Sequence, residues 1–252
     1  MKKYIFCLII IIIICYLLND TKEYFTNNII FITKYEGIEK LIKNEDRYYQ
    51  TFNHNDLQVR NIQNIYDYSD KIKVSVIDFP QKIQIKLSDL INKVKTKINN
   101  MNYTYFDGKK ANNIEWKLIC IQGKEYEYGL PHTRNDVIIL PLEYIVSNTD
   151  NNIMITLFHE LIHVYQKKYP NDIQEYLNKY GYTKVKKRND IKNIRANPDL
   201  DDWIYKDNNN TIHCGIYNNN PTNILDVVYY PNNNSNSEHP YEQMAYELSK
   251  EL

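Results

Sequence analysis

The sequence predicts an α+β fold in which a mixed or antiparallel sheet packs on one long apolar helix, with further helices ahead of it. Three observations predict it. Helical periodicity dominates the body up to about residue 110. Short strand-like runs separated by turn residues dominate from about 111 onward. Among those runs lies a helix-length segment, residues 150–168, whose apolar positions leave only one polar stripe.

The 252-residue chain opens on Met1-Lys2-Lys3 and an uncharged run from Tyr4 to Leu18 that contains six consecutive isoleucines. About 15 residues is short against the roughly 20 that span a bilayer and long for a signal peptide's apolar region. Two lysines precede the run and Asp20 and Glu23 follow it, which keeps the N-terminus cytoplasmic and sends the remainder across. The exit, from Cys15 to Asp20, has no small-x-small cleavage site, which favours an uncleaved signal anchor over a removed signal peptide. Residues 1–20 are thus expected to be a signal anchor or signal peptide. Residues 21–252 are expected to be one domain on the lumenal or extracellular side, membrane-bound through residues 4–18, or secreted if the leader is cleaved.

Within that domain, residues 21–110 read as a mainly helical scaffold. Tyr35 to Tyr49 sets Ile38, Leu41 and Ile42 on one face, and Pro80 to Ile98 sets Ile83, Leu87, Leu90, Ile91, Val94 and Ile98 at helical spacing. Between them, Lys71 to Asp78 alternates like a short strand. Ile114 to Ile121 and Asp136 to Leu140 then read as strands, the second buried. The long helix from Asp150 to Lys168 has Ser147, Thr149 or Asp150 as its N-cap and Pro170 as its stop. Asn197 to Tyr205 reads as a turn leading into a strand anchored by Trp203, with a weak cation or substrate site as the alternative. Short strands follow at Thr211–Tyr217 and Ile224–Tyr230, and a helix opened by Pro240 runs to Leu252.

Composition removes several function classes. Lys+Arg and Asp+Glu balance at 31 each with no long basic run, which argues against a nucleic-acid partner. Asn, Ile, Lys and Tyr dominate, which reads as A/T-rich coding; sequons at Asn102, Asn209 and Asn233 number about what chance gives in so Asn-rich a chain. Outside the leader only Cys120 and Cys214 remain, open to one disulfide or to two separate buried thiols.

Against that background one scarce-residue pattern stands out: His159-Glu160-Leu161-Ile162-His163 within the long helix. Histidines four apart lie one turn apart on the same face, so both imidazoles reach one Zn²⁺ at about 2.0–2.1 Å. Glu160, offset by about 100°, stands beside the metal and can take a proton from a bound water as general base. A shuffled chain of this composition shows the pattern about one time in a hundred. The polar stripe comprises Asn152, Thr156, His159, Glu160, His163 and Lys167, so it is centred on His, Glu and His.

These residues resemble the zincin metallopeptidases. The stretch from Gly129 to Pro141 followed by Thr156 to Gln166 is similar to the strand and active-site helix of that fold, in particular to zinc peptidases encoded by large DNA viruses. The resemblance covers about 40 residues plus the C-terminal segment. It implies a zincin-like fold, a Zn²⁺ cofactor, a peptide or protein substrate and, for the viral relatives, a place on the virion surface. Metzincins are excluded, because Gln166 and Tyr169 stand where their Gly and third His would be. Gluzincins take a Glu from a downstream helix, and the candidates are Glu175, Glu238, Glu242 and Glu247, with His239 as an outsider. Glu238 to Glu247 looks like the gluzincin pattern of a Pro-opened helix with Glu in its first turn. Projection favours Glu242, which borders the apolar stripe of Tyr241, Met244, Ala245, Leu248 and Leu252, while Glu247 points about 140° away. The gap from His163 to Glu242 is longer than in compact gluzincins.

The implied activity is peptide hydrolysis, with His159, His163 and Glu242 as metal ligands and Glu160 as the catalytic base. Substrate is expected along an edge strand, Asp136–Leu140 or Ile114–Ile121, with His132, Arg134, His213, Tyr241 or Tyr246 available to stabilise the oxyanion. The alternative is an inactive zincin-fold envelope or surface binding protein with a structural or vestigial metal site; the intact Glu160 favours the enzyme.

Overall fold

The structure is a computed structural model that describes residues 28–252. β1 (Ile29–Phe31) leads to α1 (Lys34–Lys43), α2 (His54–Val59), α3 (Asp67–Ser75), β2 (Val76–Ile77) and α4 (Gln81–Ile98). A small hairpin of β3 (Asn102–Tyr103) and β4 (Phe106–Asp107) precedes α5 (Gly108–Asn112). The second half contains β5 (Trp116–Ile121), β6 (His132–Arg134), β7 (Val137–Pro141), α6 (Leu142–Ser147), α7 (Asp150–Lys168) and α8 (Pro170–Tyr180). It closes with β8 (Thr183–Lys187), β9 (Trp203–Lys206), β10 (Ile212–Tyr217), β11 (Val227–Tyr230) and α9 (Pro240–Ser249).

The fold is α+β, as expected, and its main sheet is mixed. Strands run in the order β1-β5-β7-β6, the first three parallel and β6 antiparallel, with β2 pairing antiparallel to β5. Alternation along β5 and β7 divides their side chains between two layers. Leu118, Cys120, Ile138 and Leu140 pack with Leu87, Leu90 and Ile91 of α4, and with Leu157, Phe158, Leu161 and Ile162 of α7. Ile119, Ile121, Val137 and Ile139 pack with Leu41, Tyr48, Tyr68 and Ile72 on the other side. Helices therefore cover both faces, which is why β7 is a continuous apolar run. A second sheet, β11-β10-β9-β8, is antiparallel throughout.

Several expectations need correction. Lys71 to Ser75 belongs to α3, because Tyr68 and Ile72 bury one helical turn apart; only Val76 and Ile77 extend. α1 ends at Lys43, since Asn44 takes the left-handed conformation at φ 51°. Pro170 ends α7 but also opens α8, a position suited to a ring that lacks an N–H. β8 escaped notice because every residue in it is exposed and three are lysines, a composition that guards an edge strand. β5 and β7 are interior strands, so neither Ile114–Ile121 nor Asp136–Leu140 supplies an edge for substrate; the edge beside α7 is β6. Cys120 and Cys214 are free buried thiols on different sheets.

The apolar run Tyr4–Leu18 lies outside the described residues. Among the described residues no helix is long and apolar enough to cross a membrane.

Candidate metal centre

α7 starts where the Thr149 hydroxyl accepts from the Asn152 amide, and it carries His159 and His163 one turn apart toward α9. α9 starts with Pro240 in its first turn, while the preceding His239 caps it by accepting from the Tyr241 amide. Met244, Ala245 and Leu248 join the core shared with α7. A small side chain at Ala245 suits close helix packing, and Glu242 in the first turn of α9 faces the two imidazoles. The Nε2 atoms of His159 and His163 are 3.1 Å apart. Glu242 Oε2 lies 3.3 Å from the first and 3.8 Å from the second. A tetrahedral Zn²⁺ bound at about 2.0–2.1 Å needs ligand atoms about 3.3 Å apart, so this triangle fits one face of its coordination shell. Among the described residues, His159, His163 and Glu242 form a group whose ligand atoms lie close enough together to hold one metal ion.

Neighbouring groups fix how these ligands are presented. His163 Nδ1 lies 3.0 Å from Gln166 Oε1, and Gln166 Nε2 donates to the Tyr241 carbonyl at 3.0 Å. With Nδ1 donating, the Nε2 lone pair of His163 faces the centre. The His159 ring packs edge-on against Tyr246, centroids 4.6 Å apart. Burial opposes a charge on His163, but the carboxylates of Asp199, Glu242 and Glu160 raise it to about 9. Burial also works against ionisation of Glu242, yet hydrogen bonds from His159 and His163 hold its carboxyl well below the usual range. The field in this centre favours positive charge.

Glu160 is 4 % exposed and opens onto the same cleft. The Thr133 hydroxyl lies 2.9 Å from its Oε2, and the Thr133 amide donates to Asp199 Oδ1 at 2.6 Å. Lys167 turns inward, donating to the carbonyls of Thr133 (3.2 Å) and Pro198 (3.0 Å). Burial, reinforced by the charge of Asp199, pushes the Glu160 carboxyl well above the usual carboxylate range, which suits a group that must hold a proton after taking it.

The remaining ligand candidates are engaged elsewhere. Glu175 is exposed on α8. Glu238 pairs with Arg195 and accepts from Asn197. Glu247 accepts from the Tyr176 hydroxyl at 2.9 Å and from Gln243. His239 faces Asp201 at 3.2 Å. Among the oxyanion candidates, Arg134 is locked onto Asp46, His213 holds the Ser237 carbonyl, and Tyr241 packs between His239 and Tyr205. Tyr246 and His132 line the cleft, and of these Tyr246 packs against the His159 ring. Burial raises the Tyr246 hydroxyl to about 12, so it stays a donor at neutral pH.

Sequence reasoning missed Thr133 and Gln166 beside this centre, and set Asn197 and Asp199 aside when it preferred a turn to a weak cation or substrate site over Asn197–Tyr205; the structure brings both residues to the cleft. Gln166 sits three residues after His163 and was readable from helical spacing. The cleft has a volume of about 740 Å³ and runs past Leu130, Pro131, Tyr144, Ile224, Leu225 and Tyr229. Its walls are mostly apolar around a polar floor, as in small-molecule and peptide sites generally. Compared with known proteins, the chain matches no family model, and no curated protein or solved structure is significantly similar to it.

Proposed function

We propose that this chain is a zinc-dependent peptidase of the gluzincin type, held at a membrane by residues 4–18 with its domain on the lumenal, extracellular or virion-surface side. The observation that carries the reading is the convergence of His159 Nε2, His163 Nε2 and Glu242 Oε2 at 3.1–3.8 Å, from two helices distant in sequence, on the floor of an open cleft beside Glu160. Charge supports it further. The carboxylates of Asp199, Glu242 and Glu160 together raise the His163 imidazole against its burial, a negative field that a divalent cation bound there would relieve.

Zn²⁺ bound there supplies a water acidic near neutral pH and a Lewis acid for the scissile carbonyl. The chain's own residues do the rest. Glu160, steered by the Thr133 hydroxyl, takes a proton at Oε1 or Oε2 and returns it to the leaving nitrogen. Tyr246, whose ring lies edge-on to that of His159, is placed to hydrogen-bond the oxygen on which charge develops. The apolar cleft walls hold peptide side chains, and the open mouth admits an extended segment.

The test is direct. Residues 21–252 are purified, their zinc is measured, and a peptide library is assayed beside Glu160→Gln. The expected result is one zinc per chain in both proteins, with turnover about 10²–10⁴-fold lower in the variant. Well-folded protein without affinity for zinc ends the metal reading, and equal, negligible turnover in both proteins ends the peptidase reading.

A further inference from the structure

We infer that Asn197 is the positioning residue for the third metal ligand, holding Glu242 so that a single carboxylate oxygen is offered to the cation. The inference rests on the metal centre proposed above. Asn197 lies in the segment from Arg195 to Asp199, which forms one wall of the cleft and is pinned along its length. The Arg195 amide donates to the Gly215 carbonyl, the Ala196 amide to Asp56 Oδ1, and the Pro198 carbonyl accepts from Lys167. Asp199 receives the Thr133 amide. Asn197 is thereby delivered to the metal centre on a fixed backbone.

Its side chain, in a residue 6 % exposed, does two separable things. Oδ1 accepts from the Asp199 amide at 3.1 Å, which closes a turn. Nδ2 donates to Glu242 Oε1 at 3.0 Å and to Glu238 Oε1 at 2.9 Å, which uses both of its hydrogens. Glu242 Oε2 is the oxygen that faces the imidazoles, so the amide occupies the other one. Without that donor the carboxylate is free to rotate about its last bond, and Glu238, one helical turn away, repels it. With it, the two buried carboxylates share a donor and Glu242 is fixed as a one-oxygen ligand. Groups that orient metal ligands in this way typically contribute 10–100-fold to metal affinity.

Asn197→Asp separates the two roles, because it keeps an acceptor for the Asp199 amide and removes the donor to the carboxylates. Affinities for Zn²⁺ and Co²⁺, the visible absorption spectrum of the Co²⁺ protein and the melting temperature of the metal-free protein are measured for wild type, Asn197→Asp and Asn197→Ser. The inference expects both variants to bind either metal about 10–100-fold more weakly and to show an altered Co²⁺ spectrum, with the metal-free proteins folded but lower-melting because Glu238 and Glu242 lose their shared donor. Wild-type affinity and spectrum in Asn197→Asp overturn it, as does failure of both variants to fold, which would make Asn197 part of the scaffold only. Wild-type protein that takes up neither metal is a different failure, that of the metal centre itself.

Discussion

Two buried polar clusters lie along the same cleft, and they are built on opposite principles. Around Glu127 every acceptor meets donors. Its Oε1 accepts from Arg60 Nε at 2.9 Å and from the Tyr68 hydroxyl, and its Oε2 accepts from Arg60 Nη2 at 2.8 Å and from the Tyr48 hydroxyl at 3.1 Å. Around His159, His163 and Glu242, three groups that can each ligate a metal lie within 3.8 Å of one another, and the imidazoles serve the carboxylate as donors only while they carry a proton on Nε2. The first cluster is complete within the chain; in the proposed reading the second takes a cation, and the raised affinity of His163 for a proton reflects the same negative field. Burial of polar groups alone is therefore a poor guide to function. What sets the proposed metal centre apart is the mismatch between its donors and acceptors.

The largest expected effect sharpens that contrast on the side of stability. Arg60→Met leaves Glu127 buried without its cation and should destabilise the fold by about 3–5 kcal/mol in urea unfolding. Metal affinity of the folded fraction should be unchanged, although Glu127 lines the same cleft. Glu242→Gln is the counterpart: it should abolish metal binding while costing the metal-free protein less stability than Arg60→Met does. If Arg60→Met also lost metal binding, or Glu242→Gln cost as much stability as Arg60→Met, the two clusters would not be separable in this way.

Acid titration gives the next effect. Despite burial, which acts to raise it, the Arg60 charge and hydrogen bonds lower Glu127 from an ordinary 4.5 to about 2. A group whose pKa is depressed on folding contributes stability that is complete above its unfolded pKa and is lost as pH falls toward the folded one. Between pH 4.5 and 2 this carboxylate should account for about 3 kcal/mol of lost stability. Denaturant unfolding at stepped pH measures it, and Glu127→Gln, weaker at neutral pH, should show a correspondingly flatter profile over that window. Equal slopes in the two proteins would remove Glu127 from the account.

The convergence of His159, His163 and Glu242 and the sequence of core elements were legible in the chain because both are written in local spacing. Two histidines four apart on a helix, and a glutamate in the first turn of a Pro-opened helix, need no knowledge of distant contacts. β5, β7, α4 and α7 announced themselves by period or by continuous apolar runs. What stayed hidden depends on tertiary context. β6 is three residues long and is recognisable as an edge only once β7 and α7 are in place. Thr133 sits mid-strand in β6 and Asn197 and Asp199 in a loop, where an Asn-rich composition hides one buried, bonded asparagine among many punctuating ones. The boundary at Lys71–Asp78 went to the wrong element because a brief alternation competed with the helical spacing of Tyr68 and Ile72, and burial decided it.

The smallest effect isolates the donor relay behind His163 in the proposed metal cluster. Gln166 takes the Nδ1 proton of His163 on its Oε1 and gives its own Nε2 hydrogen to the Tyr241 carbonyl, linking α7 to the first turn of α9. Gln166→Leu preserves helix propensity and approximate volume but ends both bonds, so the His163 ring loses its preferred tautomer and orientation. Zinc affinity should fall about 10–100-fold, equivalent to roughly 1.4–2.7 kcal/mol, as read by competition with a chromogenic chelator. Gln166→Glu, which keeps the acceptor toward His163 but not the donor toward Tyr241, should recover much of that loss, since a carboxylate partner makes the imidazole a stronger ligand. If Gln166→Leu binds zinc like wild type while Gln166→Glu does not, His163 is oriented by its packing alone, and the cluster has no donor relay of its own to set against the complete one around Glu127.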